Sequence, residues 1–455
     1  MSTFDRERFL RPLHETSTKY YGLLAIAVLA TLAFAVVYFM ELTGGHMMNL
    51  DDWGTSGGVP WGLDIGAFAW WVGIAHGGIA ISAAARLLDI DEFKPISRIA
   101  ELLTMMALAM AVAHIVFDIG RPDRIFNTVL YHPFESPLLW DVTIISAYFG
   151  MSFVYLFMSM REDLHELRQE GLLPDRWNPI YEFVLINYQE TEQRKEEQML
   201  WWLALGILLM VPLLSGGVVP WLFGLLGSQP GWFSAVQGIS FLTAALASAM
   251  AAVILIAATV RFAYGWEDVI PDEIFKDLGK VLTVLLLAYL WVIIHEVVTG
   301  SFAAPNQVAE VEHALTAGQY ALPFWFAVAG LAVAALYFGA QWLSQWHSLA
   351  GTLVLSVVAL AAILTKKTLF VVAALAYPSL MYPVGEYVPA FAEWMNLVGT
   401  LALTALAYLL FAKVFPLLPI RELEEMEEHV MKERRSDPEV EQPTTAATSG
   451  EGVDD

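Results

Sequence analysis

Seven ionisable side chains stand where a long apolar sequence has least use for them. Asp64 and His76 share one apolar run, Glu101, His114 and Asp118 the next, and Asp141 a third; Glu296 follows His295 in a much later one. A titratable group within a lipid-spanning helix is costly and marks function by default. His114 and Asp118 are four residues apart and so share one helix side. Carboxylates and imidazoles grouped in this way can each accept a hydroxyl proton at hydrogen-bond distance. Oxidation of a hydroquinone, which releases two protons with two electrons, is the chemistry they suit. Its ring needs an apolar slot, which Phe68, Trp70, Trp71 and Phe117 could wall.

The elements that must position these groups are membrane helices. A spanning helix needs about 20 apolar residues. Such runs occur at 20–40, 64–87, 98–119, 138–160, 199–221, 237–260, 278–299, 322–342, 350–372 and 395–415. Backbone groups in lipid must be satisfied within the segment, so the runs are helices. Of the 24 Lys and Arg residues, 20 fall on the side shared by the two termini, and only Arg121, Arg124, Lys366 and Lys367 on the other. The positive-inside rule then makes both termini cytoplasmic and the protein a multi-pass protein of the cytoplasmic membrane. Asp64, Asp118 and Asp141 fall near the outer face. His76 lies ~18 Å deeper than Asp64, and Glu101 ~25 Å from Asp118 along the same helix, near the inner face. The expected site is therefore an outer cluster on spans 2, 3 and 4, with His76 and Glu101 leading inward.

Composition narrows the function classes. The chain is 57% hydrophobic and 16% charged, with mean hydropathy +0.56, which is far from a soluble average. Its formal net charge of −23 argues against nucleic acid as a partner. It has no cysteine, so it can hold no thiolate-ligated iron–sulfur cluster of its own. No metal site is expected. Residues 1–19 read as a cytoplasmic N-terminal segment and 20–420 as the membrane domain. Residues 421–455 read as an acidic, largely disordered tail.

Each candidate also has a structural role open to it. Asp64 and Asp141 could be helix N-terminal carboxylates favoured by the dipole. Asp118 could pair with Arg121 or Arg124, Glu101 with Arg98 or Arg86, and His295–Glu296 could form a rim pair. His114 could be a packed, hydrogen-bonded histidine. The run Gly77–Ala83 reads as a close helix-packing face. Two other functions compete: a b-type cytochrome anchor ligating haem through histidines within the spans, which are His76, His114 and, at the margin, His295, and a proton-coupled transporter with discontinuous helices. Ser215–Gly217, flanked by Pro212 and Pro220, would be the helix break of the latter.

Several stretches resemble a known family. Span 2 reads WWVGIAHGGIAISAAARLL and is followed by KPISRIAELLT, then DIGRPDR and SPLLWD; ETEQRKEE, DLGKVLT and FAEW come later. Together, over roughly 20–420, they resemble the NrfD/polysulfide-reductase membrane subunits, in particular the long ten-helix members of alternative complex III and related respiratory complexes. The resemblance implies two four-helix bundles, about 64–221 and 237–372, plus flanking helices. It implies a menaquinone- or ubiquinone-type substrate bound near the outer face, with no haem and no metal in the chain. It also implies a ferredoxin-like iron–sulfur subunit docked there and a catalytic, molybdopterin-type subunit beyond. Carried over residue by residue, the resemblance marks His76, Glu101, Asp118, Asp141 and Glu296. With the residue reading above, quinol proton acceptors or relays are expected at His76, Asp118 and Asp141, quinone binding at Asp64, His114, Asp118, Arg121 and Asp141, and a proton path through His76, Glu101 and Glu296.

Overall fold

A computed structural model of the chain describes residues 6–44, 59–88, 90–119, 122–131, 133–302, 306–344, 346–377 and 384–427. Among them, ten helices are long and apolar enough to cross a membrane. Span 1 is Thr18–Gly44 and span 2 comprises Leu63–Ile74 and His76–Leu87. Span 3 is Ser97–Asp118, and span 4 is Pro137–Ser159. Span 5 runs from Gln193 through a π-turn at Leu214–Val218 to Gly224. Spans 6 to 9 are Gln237–Tyr264, Asp272–Phe302, Ala321–Ser344 and Leu349–Ala376, and span 10 is Phe391–Val414. The chain is thus an all-α polytopic membrane protein.

Spans 2 to 5 pack around one another, as do spans 6 to 9, and span 2 joins the groups by packing on spans 6 and 9. Spans 1 and 10 pair with each other at the side of spans 2 and 3. Span 2 is the central element: 94% of its apolar window is buried, against 11% for span 1. Small residues allow that burial. A Cβ on Gly78 would collide with the carbonyl oxygen of Ala100, so only glycine lets spans 2 and 3 approach this closely.

Two spans depart from regular α-helix, and they do so opposite each other. Span 2 is interrupted at Ala75, whose carbonyl accepts hydrogen bonds from the Thr104 hydroxyl (2.6 Å) and the Tyr148 hydroxyl (3.2 Å). Side chains from neighbouring spans thereby satisfy what the helix does not. In span 5 the sequence suggested a break. The chain stays helical instead, widening into the π-turn between Pro212 and Pro220, because proline removes a backbone donor and crowds the preceding turn.

The two described chain ends lie on one side, called here the terminal side. Helix Arg6–His14 lies there, with Phe9 and Trp266 in ring contact at 6.2 Å. The segment after span 10 is latched there too. Asp163 accepts from the backbone N–H groups of Ile420 and Arg421, and pairs with the buried Arg98 at 2.7 Å.

Candidate functional site

The principal polar cluster lies on the far side, where span 2 begins and span 3 ends. Asp64 sits in the first turn of span 2, where the helix dipole favours an anion. It is fully buried. Its Oδ1 meets Nδ1 of the equally buried His114 at 2.7 Å, and its Oδ2 accepts from the Asn396 amide at 3.1 Å. His114 Nε2 lies 3.1 Å from the Thr400 hydroxyl, which is also 2.9 Å from the Leu397 carbonyl. Asn396 and Thr400 are four apart on span 10 and so face the same neighbour.

This geometry holds a proton in two ways. If the Thr400 hydroxyl donates to the Leu397 carbonyl, Nε2–H donates to Thr400 and the ring is an imidazolium paired with Asp64. If the hydroxyl donates to Nε2, the ring is neutral. The two arrangements differ by one proton and one hydroxyl rotation, with no heavy atom displaced.

Span 10 also fixes the start of span 2. Glu393 Oε1 accepts from the Leu63 backbone N–H (2.9 Å) and the Tyr387 hydroxyl (2.8 Å), and Oε2 from the Ala390 N–H (2.7 Å). Asp118, one turn beyond His114 and half-buried, lies within electrostatic reach of Asp64, Glu393 and Glu41. Phe117 stands edge-on to His114 at 5.5 Å and against Phe34 and Tyr38 of span 1. Trp70 is turned away: its indole N–H donates to the Leu360 carbonyl of span 9. Arg121 lies outside the described residues.

Hydrogen bonds join spans 2, 3 and 10 in this cluster, with Asn396 and Thr400 of span 10 added to the expected residues of spans 2 and 3. Asp141 is fully buried on span 4, but neither of its carboxylate oxygens has a hydrogen-bond partner, to Asp64, His114, Asp118 or any other described residue. Its neighbour Trp140 stands edge-on to Trp221 of span 5 at 6.1 Å.

His76 opens the second half of span 2. Its Nε2 lies 2.6 Å from the Ser215 hydroxyl in the π-turn, its Nδ1 3.2 Å from the Tyr148 hydroxyl, and its ring stacks on Tyr148 at 5.6 Å. Because Tyr148 donates to the Ala75 carbonyl, it accepts from Nδ1–H. Ser215 then donates to Nε2, so the ring is neutral. Glu101 accepts from Ser82 (2.6 Å) and Ser159 (3.1 Å). It lines a cleft of ≈ 220 Å³ on the terminal side with Arg86, Tyr155 and Glu422. Arg86 pairs with Glu422 there, and Arg98 with Asp163, so neither is the ion-pair partner of Glu101. Among the described residues, no hydrogen bond joins His76, Glu101 and the Asp64–His114 pair into one chain.

Glu296 belongs to the rear group of spans, paired with Lys366 at 3.0 Å. Counting Lys366 and Lys367 as charges at the end of span 9 needs correction. The helix continues to Ala376, and both lysines are buried within it. The Lys367 ammonium stands 3.2 Å from the Phe241 ring centroid, a cation–π contact.

Sequence reasoning missed Asn396, Thr400, Tyr148 and Ser215. Polar uncharged residues within a span are cheap enough to be common, so they raise no alarm singly. The i, i+4 spacing of Asn396 and Thr400 was the one available sign.

These features define a ten-span, all-α membrane protein with buried titratable groups at several depths and no cysteine. The chain belongs to the NrfD family: residues 52–379 match the family described as Polysulphide reductase, NrfD. It is 25% identical over 378 residues to a selenate reductase subunit of Mesobacillus selenatarsenatis, covering 79% of this chain and 86% of that one. It is 22% identical over 442 residues to the Hdr-like menaquinol oxidoreductase integral membrane subunit of Archaeoglobus fulgidus, covering 90% and 97%. It is 26% identical over 268 residues to a putative dimethyl sulfoxide reductase membrane subunit of Halobacterium salinarum, covering 58% of each.

Proposed function

We propose that this chain is the quinol-linked membrane subunit of a respiratory oxidoreductase, seated in the cytoplasmic membrane with both termini cytoplasmic. The far side is then the outer face. Its substrate is a membrane quinone of the menaquinone or ubiquinone type, which supplies or takes up two electrons with two protons. Electrons pass to or from a separate ferredoxin-like iron–sulfur subunit at the outer face, and onward to a catalytic, molybdopterin-type subunit. The family membership supports this reading, as do the names of the relatives, one of them a menaquinol oxidoreductase subunit. With no cysteine, the chain cannot itself provide the thiolates of a cluster.

One observation carries the reading most directly. Asp141 is a fully buried carboxylate with no hydrogen bond to either oxygen from any described residue. Leaving such a group unsatisfied is expensive, and a hydroxyl donor from a bound ligand would complete it. In this reading Asp141 takes a hydroxyl proton. Asp118 serves as the second acceptor, and the Asp64–His114 pair stores or releases one proton at the Nε2–Thr400 contact. Arg121 is proposed to take part in quinone binding. His76, Glu101 and Glu296 are proposed as stations of a proton path.

The haem reading fits the geometry poorly, because an axial histidine must offer a free ring nitrogen. Both nitrogens of His76 and both of His114 already face protein partners. Reduced-minus-oxidised spectra of the purified chain test this point: the quinol reading expects no α-band from it, and an α-band would remove the reading as stated.

A further inference from the structure

The rear of the far side holds an opening that none of the residues assigned above except Glu296 helps to line. Two cavities adjoin between spans 5, 6 and 7. One, of ≈ 520 Å³, is an apolar groove walled by Pro212, Trp221, Leu225, Phe233 and Leu242, with Gly216 at its side. The other, of ≈ 370 Å³, carries a few polar side chains in its wall, among them Glu296, Thr299, Gln307 and Glu312. They share Phe233, Ser234 and Gln237, so one leads into the other.

Gln237 stands at the junction. It is 4% exposed, and its Oε1 is buried without a hydrogen-bond partner among the described residues, a state that costs stability unless a donor completes it. Glu296 is already neutralised by Lys366. Glu312, on helix Asn306–Thr316 between spans 7 and 8, has no cation within ion-pair distance among the described residues. Its tucked position depends on Gly300, where a Cβ would collide with Glu312 Cγ. Burial pushes the Glu312 carboxyl up to about 7, so near neutral pH it can accept or donate a hydrogen bond.

The geometry points to a binding site for a membrane hydroquinone at this junction, its hydroxyl-bearing ring against Gln237 and Glu312 and its apolar tail in the groove beside Trp221 and Phe233. A largely apolar cavity with a few convergent polar groups is the usual form of a small-ligand site. Trp221 at the end of span 5, and Leu225 and Phe233 in the connection to span 6, are all exposed at the rim, so the occupant enters sideways from lipid beside the end of span 5. The polar end offers acceptors, which call for a donating head. A phospholipid would bring an anionic phosphate against two carboxylates, whereas a hydroquinone is neutral and carries two O–H donors. The assignment is one of binding, with no electron transfer ascribed to it, and it goes beyond the front-site reading because it uses none of Asp64, His114, Asp118 or Asp141.

The test uses the purified full-length chain in phosphatidylcholine nanodiscs with a naphthohydroquinone bearing a diazirine on its isoprenoid tail, kept reduced and then photolysed. Labelling is expected within residues 212–242 and is competed by unlabelled hydroquinone. Gln237→Leu should lower it about five-fold, the worth of one buried hydrogen bond. Gly216→Leu should lower it at least as much by filling the groove; its Cβ meets nothing nearer than 3.6 Å, so this variant carries the test if Gln237→Leu fails to fold. Asp141→Asn should leave the labelling within 212–242 unchanged, which separates this site from the front one. Absence of competed label within 212–242, undiminished label there in the folded variants, or equal competition by phosphatidylethanolamine would each overturn the assignment.

Discussion

At the scale of single residues, charge was the legible signal and hydrogen-bonding company was not. Asp64, His114 and Glu101 stand out in an apolar sequence because lipid penalises them, and all three are buried with polar partners. What the sequence could not show is that Asn396 and Thr400, more than 280 positions from His114, complete the pair. Nor could it show that Lys366 and Lys367 turn inward, since a short basic dipeptide near a span end reads equally well as an interface anchor.

The Lys366–Glu296 pair makes a residue-scale prediction. Breaking a buried pair from one side leaves an uncompensated charge and costs about 3–5 kcal/mol, while apolar replacement of both partners costs far less. Lys366→Met should therefore lower the unfolding free energy in detergent markedly, and Lys366→Met with Glu296→Leu should recover most of it. Equal losses in the single and double variants would count against the pairing.

Glu312 gives a pH dependence. Its folded carboxyl titrates near 7, above its ordinary 4.5. The folded state therefore favours the protonated form. That contribution is complete below 4.5 and is lost as pH rises toward 7. Melting temperature in nanodiscs should fall across this window less steeply in Glu312→Gln than in the parent chain; identical slopes would contradict the burial argument.

At the scale of elements, the number and positions of the spans were readable because a bilayer imposes a length on every helix. The irregularities were half readable. Pro212, Pro220 and the glycines between them announced a disturbance in span 5, yet its form is a π-turn that keeps the helix intact. The interruption at Ala75 has no proline to announce it. It exists because Thr104 and Tyr148 supply hydroxyl donors to the Ala75 carbonyl from other spans. The latch on the terminal side was equally hidden, since it joins Asp163 to a segment about 257 residues later.

That latch is testable by itself. Asp163 serves two backbone N–H groups and the buried Arg98. Asp163→Ala should free Ile420–Glu427, and hydrogen exchange there should accelerate about ten-fold or more while spans 6 to 9 stay protected, since one lost charge-assisted contact is worth roughly 1.5–3 kcal/mol. Unchanged exchange at Ile420 and Arg421 would mean that the segment is held by packing of Leu417, Leu418 and Leu423 alone.

At the scale of the whole molecule, two packed groups of four spans present separate polar centres on the far side. The front one combines spans 2, 3 and 10; the rear one combines spans 6, 7 and 9 with the helix that follows span 7. Span 2 packs against both groups, which makes it the element through which a change at one centre would be felt at the other. Moving the two lysines into span 9 leaves Arg121 and Arg124 as the basic residues of the far-side connections. The charge asymmetry read from the sequence thus becomes sharper and supports the proposed cytoplasmic placement of both termini.

The central claim is that Asp141 and Asp118, on the far side of the front spans, take the protons of a bound quinol. Its most direct test is quinol-driven turnover of the assembled complex carrying Asp141→Asn or Asp118→Asn, with assembly checked in the same membranes. The amide keeps size and removes the acceptor of a proton. Loss of a positioned acid–base group typically lowers the rate about 10²- to 10⁴-fold, and that loss with normal assembly is the predicted result. Parental turnover in both variants would contradict the account.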